Sequence, residues 1–161
     1  MEIRLAKKED IEKIRTLIEN RIEWMNEVGI KHWNEFDYLN IYSYEYFESM
    51  IENKSFYIAE DDLKNVVGAI GLLEKDEFWN DNVKALYIHN LVGDVNKRGV
   101  GKFLLEEVEK IAKEREIRVL RLDAKIDDKK LNDYYESFGY KEVGTCTEAD
   151  YIGYKREKIL D

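Results

Sequence analysis

Apolar residues along this chain switch between two periods, and the switches divide it into elements. Ile3-Arg4-Leu5-Ala6 alternates and predicts a short strand. From Glu9 onward, Ile11, Ile14, Leu17, Ile18, Ile22 and Met25 recur at three- and four-residue steps. That spacing predicts an amphipathic helix, with Glu9 and Asp10 favoured at its positive end and Gly29 closing it. Residues 30–40 break the period: His32, Trp33, Phe36 and Tyr38 stand irregularly among acids and amides. A second helix is expected from about Ser43 to Glu52. Phe56–Ala59 and Val66–Leu73, joined by a polar turn, read as a β-hairpin.

Residues 84–92, KALYIHNLV, are apolar on both faces and predict a central strand. After the loop GDVNKRGVG, the residues Phe103, Leu104, Val108, Ile111 and Ala112 mark a helix to about Arg115. Val119–Leu122 is the next strand, and Lys129–Phe138 a short helix ended by Gly139. Two strands near Tyr140–Gly144 and Tyr151–Ile159 close the chain. The order is β-α-α-β-β-β-α-β-α-β-β. The strands around 84–92 and 117–123 flank a helix and should form a right-handed parallel crossover. The other pairs should be antiparallel. The fold class is therefore α/β (α+β), a single mixed, mostly antiparallel sheet with helices on both faces. With no linker-like stretch, residues 1–161 read as one domain.

Composition narrows the function. Lys and Arg number 26 against 35 Asp and Glu, for a net charge of −9. A general nucleic-acid binder needs a basic face, so nucleic acid is not an expected partner. Cys146 is the only cysteine, so there is no intramolecular disulfide and no cysteine-based zinc cluster, and no metal is expected. The N-terminal MEIRLAKKEDIEKI carries charges where a secretory signal needs an apolar run, and no stretch is long enough for a membrane span. The expected compartment is the cytoplasm, with no membrane partner.

Candidate chemistry begins at Asn96-Lys97-Arg98-Gly99-Val100-Gly101-Lys102, between a buried strand and a helix. Two glycines let backbone approach a ligand, and the first-turn N–H groups and helix dipole favour an anion there. The same glycines would also suit a tight turn that binds nothing. A P-loop is excluded, because Asn96 and Phe103 occupy its first glycine and its hydroxyl position. A dinucleotide fingerprint fits better, with Asp123 following about twenty residues later, but Leu104 replaces its third glycine.

This loop resembles the [Q/R]-x-x-G-x-[G/A] loop of the GNAT (Gcn5-related N-acetyltransferase) superfamily. Leu131-Asn132-Asp133-Tyr134-Tyr135-Glu136-Ser137-Phe138-Gly139-Tyr140 is similar to its L-N-x-x-Y-E-x-x-G-F/Y signature, and the element order matches. Asn96 departs from the usual Gln or Arg, which leaves backbone donors from Arg98 to Lys102 to meet the pyrophosphate.

The resemblance implies a GNAT-like acyl-CoA N-acyltransferase fold and acetyl-CoA as donor, with CoA as product. It places the acyl carbonyl and pantetheine arm along Leu91, Val92 and Gly93. The pyrophosphate falls on Asn96, Lys97, Arg98, Gly99, Val100, Gly101 and Lys102. Lys129 and Asn132 are further cofactor-arm candidates. Tyr135 falls at the position of a tyrosine that protonates the departing thiolate, and a phenol with an ordinary pKa near 10 is protonated at neutral pH. Glu74 or His89 is the candidate proton acceptor for the amine. The acceptor side should be lined by residues 24–40, where Trp24, His32, Trp33 and Phe36 could hold a cationic amine.

The implied activity is acetyl transfer to a primary amine of a small molecule or peptide, by direct attack in a ternary complex. A non-catalytic acyl-CoA-binding or regulatory domain of the same fold is the alternative, and a nucleotide-binding oxidoreductase the third reading. The C-terminal edge strands could pair two copies as a homodimer.

Overall fold

A computed structural model describes all 161 residues. Its strands are β1 (Glu2–Leu5), β2 (Phe56–Glu60), β3 (Val66–Leu73), β4 (Leu86–Gly93), β5 (Val119–Lys125), β6 (Lys141–Glu148) and β7 (Tyr151–Ile159). Its helices are α1 (Ile11–Val28), α2 (Tyr38–Ile41), α3 (Tyr44–Glu52), α4 (Val100–Glu114) and α5 (Lys129–Ser137). The strands form one mixed sheet in the order β1-β2-β3-β4-β5-β7-β6. The chain clusters into two compact units, Met1–Leu72 with His89–Val108, and Leu73–Ile88 with Glu109–Asp161.

In the first unit, β1 pairs antiparallel with β2 and β2 with β3. The Asp94 N–H donates to the Val67 carbonyl at 2.8 Å, and Gly71 lies against the His89 carbonyl, so β3 and the end of β4 run antiparallel. The predicted apolar stripe of α1 is the buried one: Ile11, Ile14, Leu17, Ile18 and Met25 are all in the core. Gly29 ends α1 in the left-handed region, φ 78°, and donates its N–H to Met25. Phe47, Phe56, Ile58 and Ile70 fill the same core. The Ser43 hydroxyl accepts from the Tyr46 N–H and starts α3, as the sequence predicts. The irregular stretch 30–40 contains more structure than its pattern predicts: a 3-10 turn at Trp33–Glu35 and the one-turn helix α2. Aromatic packing holds it, with Trp33 stacked on Tyr38 at 4.4 Å and Tyr38 against Tyr42 at 4.6 Å.

In the second unit, β4 and β5 are parallel, with Leu86 opposite Leu120 and Tyr87 opposite Arg121. β7 returns between β5 and β6 and pairs antiparallel with both. Arg121 is buried at the centre of this arrangement. It makes a two-pronged bond to Asp81 at 2.9 Å, donates to Glu157 at 2.8 Å and to the Tyr87 hydroxyl at 3.0 Å, and lies 4.2 Å from the Trp79 ring. Lys155 sits 4.5 Å from the same ring and donates to the Phe78 carbonyl. The long β3–β4 connection is therefore pinned down by two cations. No helix is long and apolar enough to cross a membrane.

Candidate active site

The turn after β4 is built from backbone upward. Asp94 organises it: its carbonyl accepts from the Lys97 N–H and its carboxylate from the Asn96 N–H. Gly99 then takes φ 83°, a region L side chains rarely adopt, and α4 starts at Val100. An added Cβ at Gly99 would meet nothing within 4 Å, so the position needs glycine for its conformation and faces open space. The reverse holds beneath the helix. A Cβ at Gly68 would fall 2.5 Å from Val100 Cγ1, and one at Gly93 would fall 3.1 Å from Val100 Cβ. Two sheet glycines thus seat the head of α4 closely on β3 and β4. Its first helical bond runs from the Phe103 N–H to Gly99, so the N–H groups just before it lack helical acceptors.

The side chains of the loop are arranged unequally. Lys97 is paired with Asp61 in the β2–β3 turn at 2.8 Å. This ammonium, with Asn65, holds the Asp61 carboxyl well below the usual carboxylate range. Lys97 is therefore engaged within the fold. Arg98 is exposed, and Lys102 lies 3.9 Å from Glu106. An arginine of α1 reaches the end of β4. Arg21 donates to the Gly93 carbonyl at 2.9 Å and lies 4.9 Å from the Trp24 ring, and burial lowers its pKa.

Within β4, Leu91 is half-buried and Val92 buried. Before them stands Asn90, 9% exposed and held at φ 52° in the middle of a strand. Its Nδ2 donates to the Tyr38 hydroxyl and its Oδ1 accepts from the Tyr46 hydroxyl, both at 2.7 Å. Burial, then the neighbouring Tyr42, raises the Tyr46 pKa, so that phenol is a donor at neutral pH. His89 is half-buried on the same strand.

α5 carries the tyrosine. The Asp128 carboxylate caps it by accepting from the Leu131 N–H at 3.1 Å. Tyr135 is buried, edge-on to Tyr134 and Tyr140, and burial raises its pKa above the ordinary phenol value. The rest of the signature converges on Arg156 of β7. Arg156 donates to Asn132 Oδ1, to Glu136 and to the Tyr140 carbonyl, each at 2.9 Å. Asn132 also donates to the Lys125 and Asp128 carbonyls. Both its N–H groups and one acceptor site of Oδ1 are thus used inside the fold, and these bonds latch α5 in place. Lys129 projects into solvent beside Asp133, at 2.6 Å.

Two clefts flank these elements, each within one unit. Glu74, Lys75, Asp76, Glu77, Trp79 and Asp81 contribute to one of about 570 Å³ in the β3–β4 connection. The other, about 390 Å³, lies between α1 and residues 34–39. Glu19, Glu23 and Asp37 give it three carboxylates, Ile22, Phe36 and Tyr38 an apolar wall, and no lysine or arginine lines it. Phe36 lines this cleft and is 43% exposed. Trp24, His32 and Trp33 are not in that wall: Trp24 lies under Arg21, and Trp33 backs Tyr38, with His32 6.0 Å behind it.

Sequence reasoning passed over Asn90, Tyr46, Arg21 and Arg156. A signal existed for Asn90, since asparagine is depleted in strands and is among the few residues that tolerate the left-handed region.

A mixed seven-stranded sheet with a glycine turn opening a helix after its central strand is the architecture of acyl-CoA N-acyltransferases. The chain belongs to the acetyltransferase (GNAT) family, whose model matches residues 22–140. Among curated proteins, none matches it. Similar solved structures include a GNAT-family acetyltransferase from Streptococcus agalactiae, with TM-score 0.81, 19% identity and coverage of 99% of this chain and 95% of that one. One from Listeria monocytogenes has TM-score 0.77 and 24% identity, covering 99% and 94%. PaiA N-acetyltransferase from Thermoplasma acidophilum, in complex with coenzyme A, has TM-score 0.76 and 23% identity, covering 99% and 98%.

Proposed function

We propose that this protein is an acetyl-CoA-dependent N-acetyltransferase acting on a small cationic primary amine. The observation that carries the reading is the left-handed Gly99 turn at the head of α4, open on its outer side. The donor's pyrophosphate would be held there by first-turn backbone N–H groups and the helix dipole, with Arg98 and Lys102 as nearby cations. Asn96 and Lys97 would contribute through backbone, since the Lys97 side chain is committed to Asp61. The acyl and pantetheine portion would run along Leu91, Val92 and Gly93, hydrogen-bonding as an added strand does.

In the reaction the amine nitrogen attacks the thioester carbonyl carbon, the carbon–sulfur bond breaks, and CoA leaves as thiolate. Holding the two reactants together supplies most of the advantage. A backbone N–H of β4 steadies the oxygen as charge builds on it. Glu74 or His89 takes the ammonium proton, directly or through water. Tyr135 donates to the departing sulfur. A thiol near 8.5 is a stronger acid than a phenol raised above 10. Tyr135 therefore stabilises the thiolate chiefly by its hydrogen bond, and the thiolate's final proton comes from the amine.

The acceptor reading rests on the 390 Å³ cleft. Three carboxylates beside Phe36 and Ile22 suit an ammonium group on a short alkyl chain, as in a polyamine. In this reading the reaction takes place in the cytoplasm.

Isothermal titration with acetyl-CoA tests the donor site, with Gly99→Glu as the blocked variant. The variant adds a carboxylate and forces an L side chain into φ 83°. Binding in wild type and none in a folded variant is expected, followed by acetylation of spermidine above background. A wild type that binds no acetyl-CoA refutes the reading. Binding without transfer across a broad amine panel favours the non-catalytic alternative.

A further inference from the structure

The middle of β4 carries an arrangement that neither strand pairing nor core packing calls for. Asn90 holds φ 52° where its neighbours are extended. For most residues that conformation costs about 1–2 kcal/mol, so something must hold it. Its side chain is buried and hydrogen-bonded at both ends, each bond 2.7 Å long, by phenols from two separate helices, Tyr38 of α2 and Tyr46 of α3. The rings are themselves locked. Tyr38 is stacked on Trp33 and packed against Tyr42, and Tyr42 is edge-on to Tyr46 at 4.9 Å. A left-handed residue in a strand turns the following peptides off the ladder direction. Here the following residues are Leu91 and Val92.

We propose that Tyr38 and Tyr46 are positioning residues: clamping Asn90 in its left-handed conformation, they aim the β4 backbone that receives the acyl carbonyl of the donor. This rests on the donor reading above. It adds that acyl recognition depends on two phenols that need not touch the donor. Tyr38 also lines the acidic cleft, so one side chain serves the acceptor wall and the donor strand together.

The clamp separates two affinities that a structural role would not separate. Acetyl-CoA and CoA share the nucleotide and pantetheine, and differ at the acyl group. A backbone hydrogen bond to the acyl carbonyl is expected to make acetyl-CoA bind about tenfold tighter than CoA, the worth of one well-made bond. Titrations of both ligands are run on wild type and on four variants: Tyr38→Phe, Tyr46→Phe, the double Tyr38→Phe/Tyr46→Phe, and Asn90→Gly. The first two delete one phenol bond each and keep the rings. Asn90→Gly keeps the left-handed backbone accessible and deletes both bonds.

The expected result is CoA affinity within twofold of wild type in each variant, with the acetyl-CoA preference falling below about threefold. Asn90→Gly should equal the double Tyr38→Phe/Tyr46→Phe variant, because both bonds act through one side chain. A preference unchanged in every folded variant overturns the clamp, as does a wild type that binds both ligands equally. Loss of CoA and acetyl-CoA affinity in parallel also overturns it, by making the tyrosines general supports. A wild type that binds neither ligand defeats the donor reading itself, and that result is in hand before any variant is made.

Discussion

Gly68 lies on β3, outside the glycine loop, yet the seating of that loop depends on it. An added Cβ would fall 2.5 Å from Val100 Cγ1 and 3.1 Å from Leu104 Cδ1. The first contact is roughly 1 Å inside the 3.5–4.0 Å optimum for carbon atoms. Val100 is 2% exposed and Leu104 fully buried, so neither can swing into solvent. Overpacking of this kind costs about 1–3 kcal/mol. Removing a strand glycine returns about 0.5–1 kcal/mol of backbone entropy. The clash wins, and Gly68→Ala should destabilise the fold by about 1–2 kcal/mol, or roughly 2–8 °C in melting temperature for a chain of this size.

The cause can be isolated. Val100→Ala removes the colliding methyl groups and alone should cost about 1–3 kcal/mol through the cavity it leaves. Combined with Gly68→Ala, the new methyl occupies part of that space. Thermal and urea melts of the two single variants and the double should therefore show a double variant more stable than the sum by at least about 1 kcal/mol. Costs that add within about 0.5 kcal/mol would refute the claim that close approach of β3 to Val100 is what requires glycine. Because Val100 begins α4, Gly68→Ala should also weaken acetyl-CoA binding, and the double variant should recover part of it.

Three further outcomes follow from the geometry. Tyr135→Phe should leave acetyl-CoA affinity within about twofold and lower the transfer rate by about 10²-fold, in the range of a lost acid–base or hydrogen-bonding partner; steady-state and titration data together decide it, and an unchanged rate removes Tyr135 from the chemistry. Arg121→Met removes a buried guanidinium whose carboxylate partners Asp81 and Glu157 still reach water, so only the Tyr87 hydroxyl is left unmatched in the interior. It should destabilise the fold at neutral pH by less than the loss of a fully buried ion pair does. The Arg121 guanidinium holds the Asp81 carboxyl below its ordinary value, so this contribution is present above about pH 4 and is lost as pH falls toward the lower folded pKa. The gap between variant and wild type in urea melts should accordingly narrow on acidification; a gap that widens contradicts the assignment. Burial pushes the Cys146 thiol up to about 11, so at pH 8 a disulfide reagent should modify it about two orders of magnitude more slowly than a free cysteine, and rapid labelling of the folded protein overturns this.

Much of the fold was legible because its elements are locally consistent. The three- and four-step stripe of α1 turns out to be its buried face, and the parallel β4–α4–β5 crossover follows from a doubly apolar strand before an amphipathic helix. The stretch 30–40 was not legible for a complementary reason. Its order comes from ring stacking among Trp33, Phe36, Tyr38 and Tyr42, which has no fixed spacing in sequence. The same holds for the site: the glycine turn is local and could be read, whereas the partners of its side chains are distant. Lys97 sits in the basic run yet is spent on Asp61, and Asn132 sits in the signature yet is spent on Arg156.

Signature residues can thus stand together in sequence for two unlike reasons. In α5, Asn132, Glu136 and the Tyr140 carbonyl share a single guanidinium, and Asn132 is additionally bonded to Lys125 and Asp128. Tyr135 shares none of those bonds; its neighbours are rings, and its buried phenol is held protonated. The spacing L-N-x-x-Y-E therefore interleaves residues bonded to Arg156 with a tyrosine packed among rings on one helix. Asn132 and Glu136, four apart, face Arg156 and fix the helix, and the tyrosine between them is carried into place by that fixation. In the proposed reaction, substituting Asn132 or Glu136 acts only through the pose of α5, whereas substituting Tyr135 removes the proposed hydrogen-bond donor itself. A motif match alone cannot separate these cases, because it records which residues recur and not which atoms they spend.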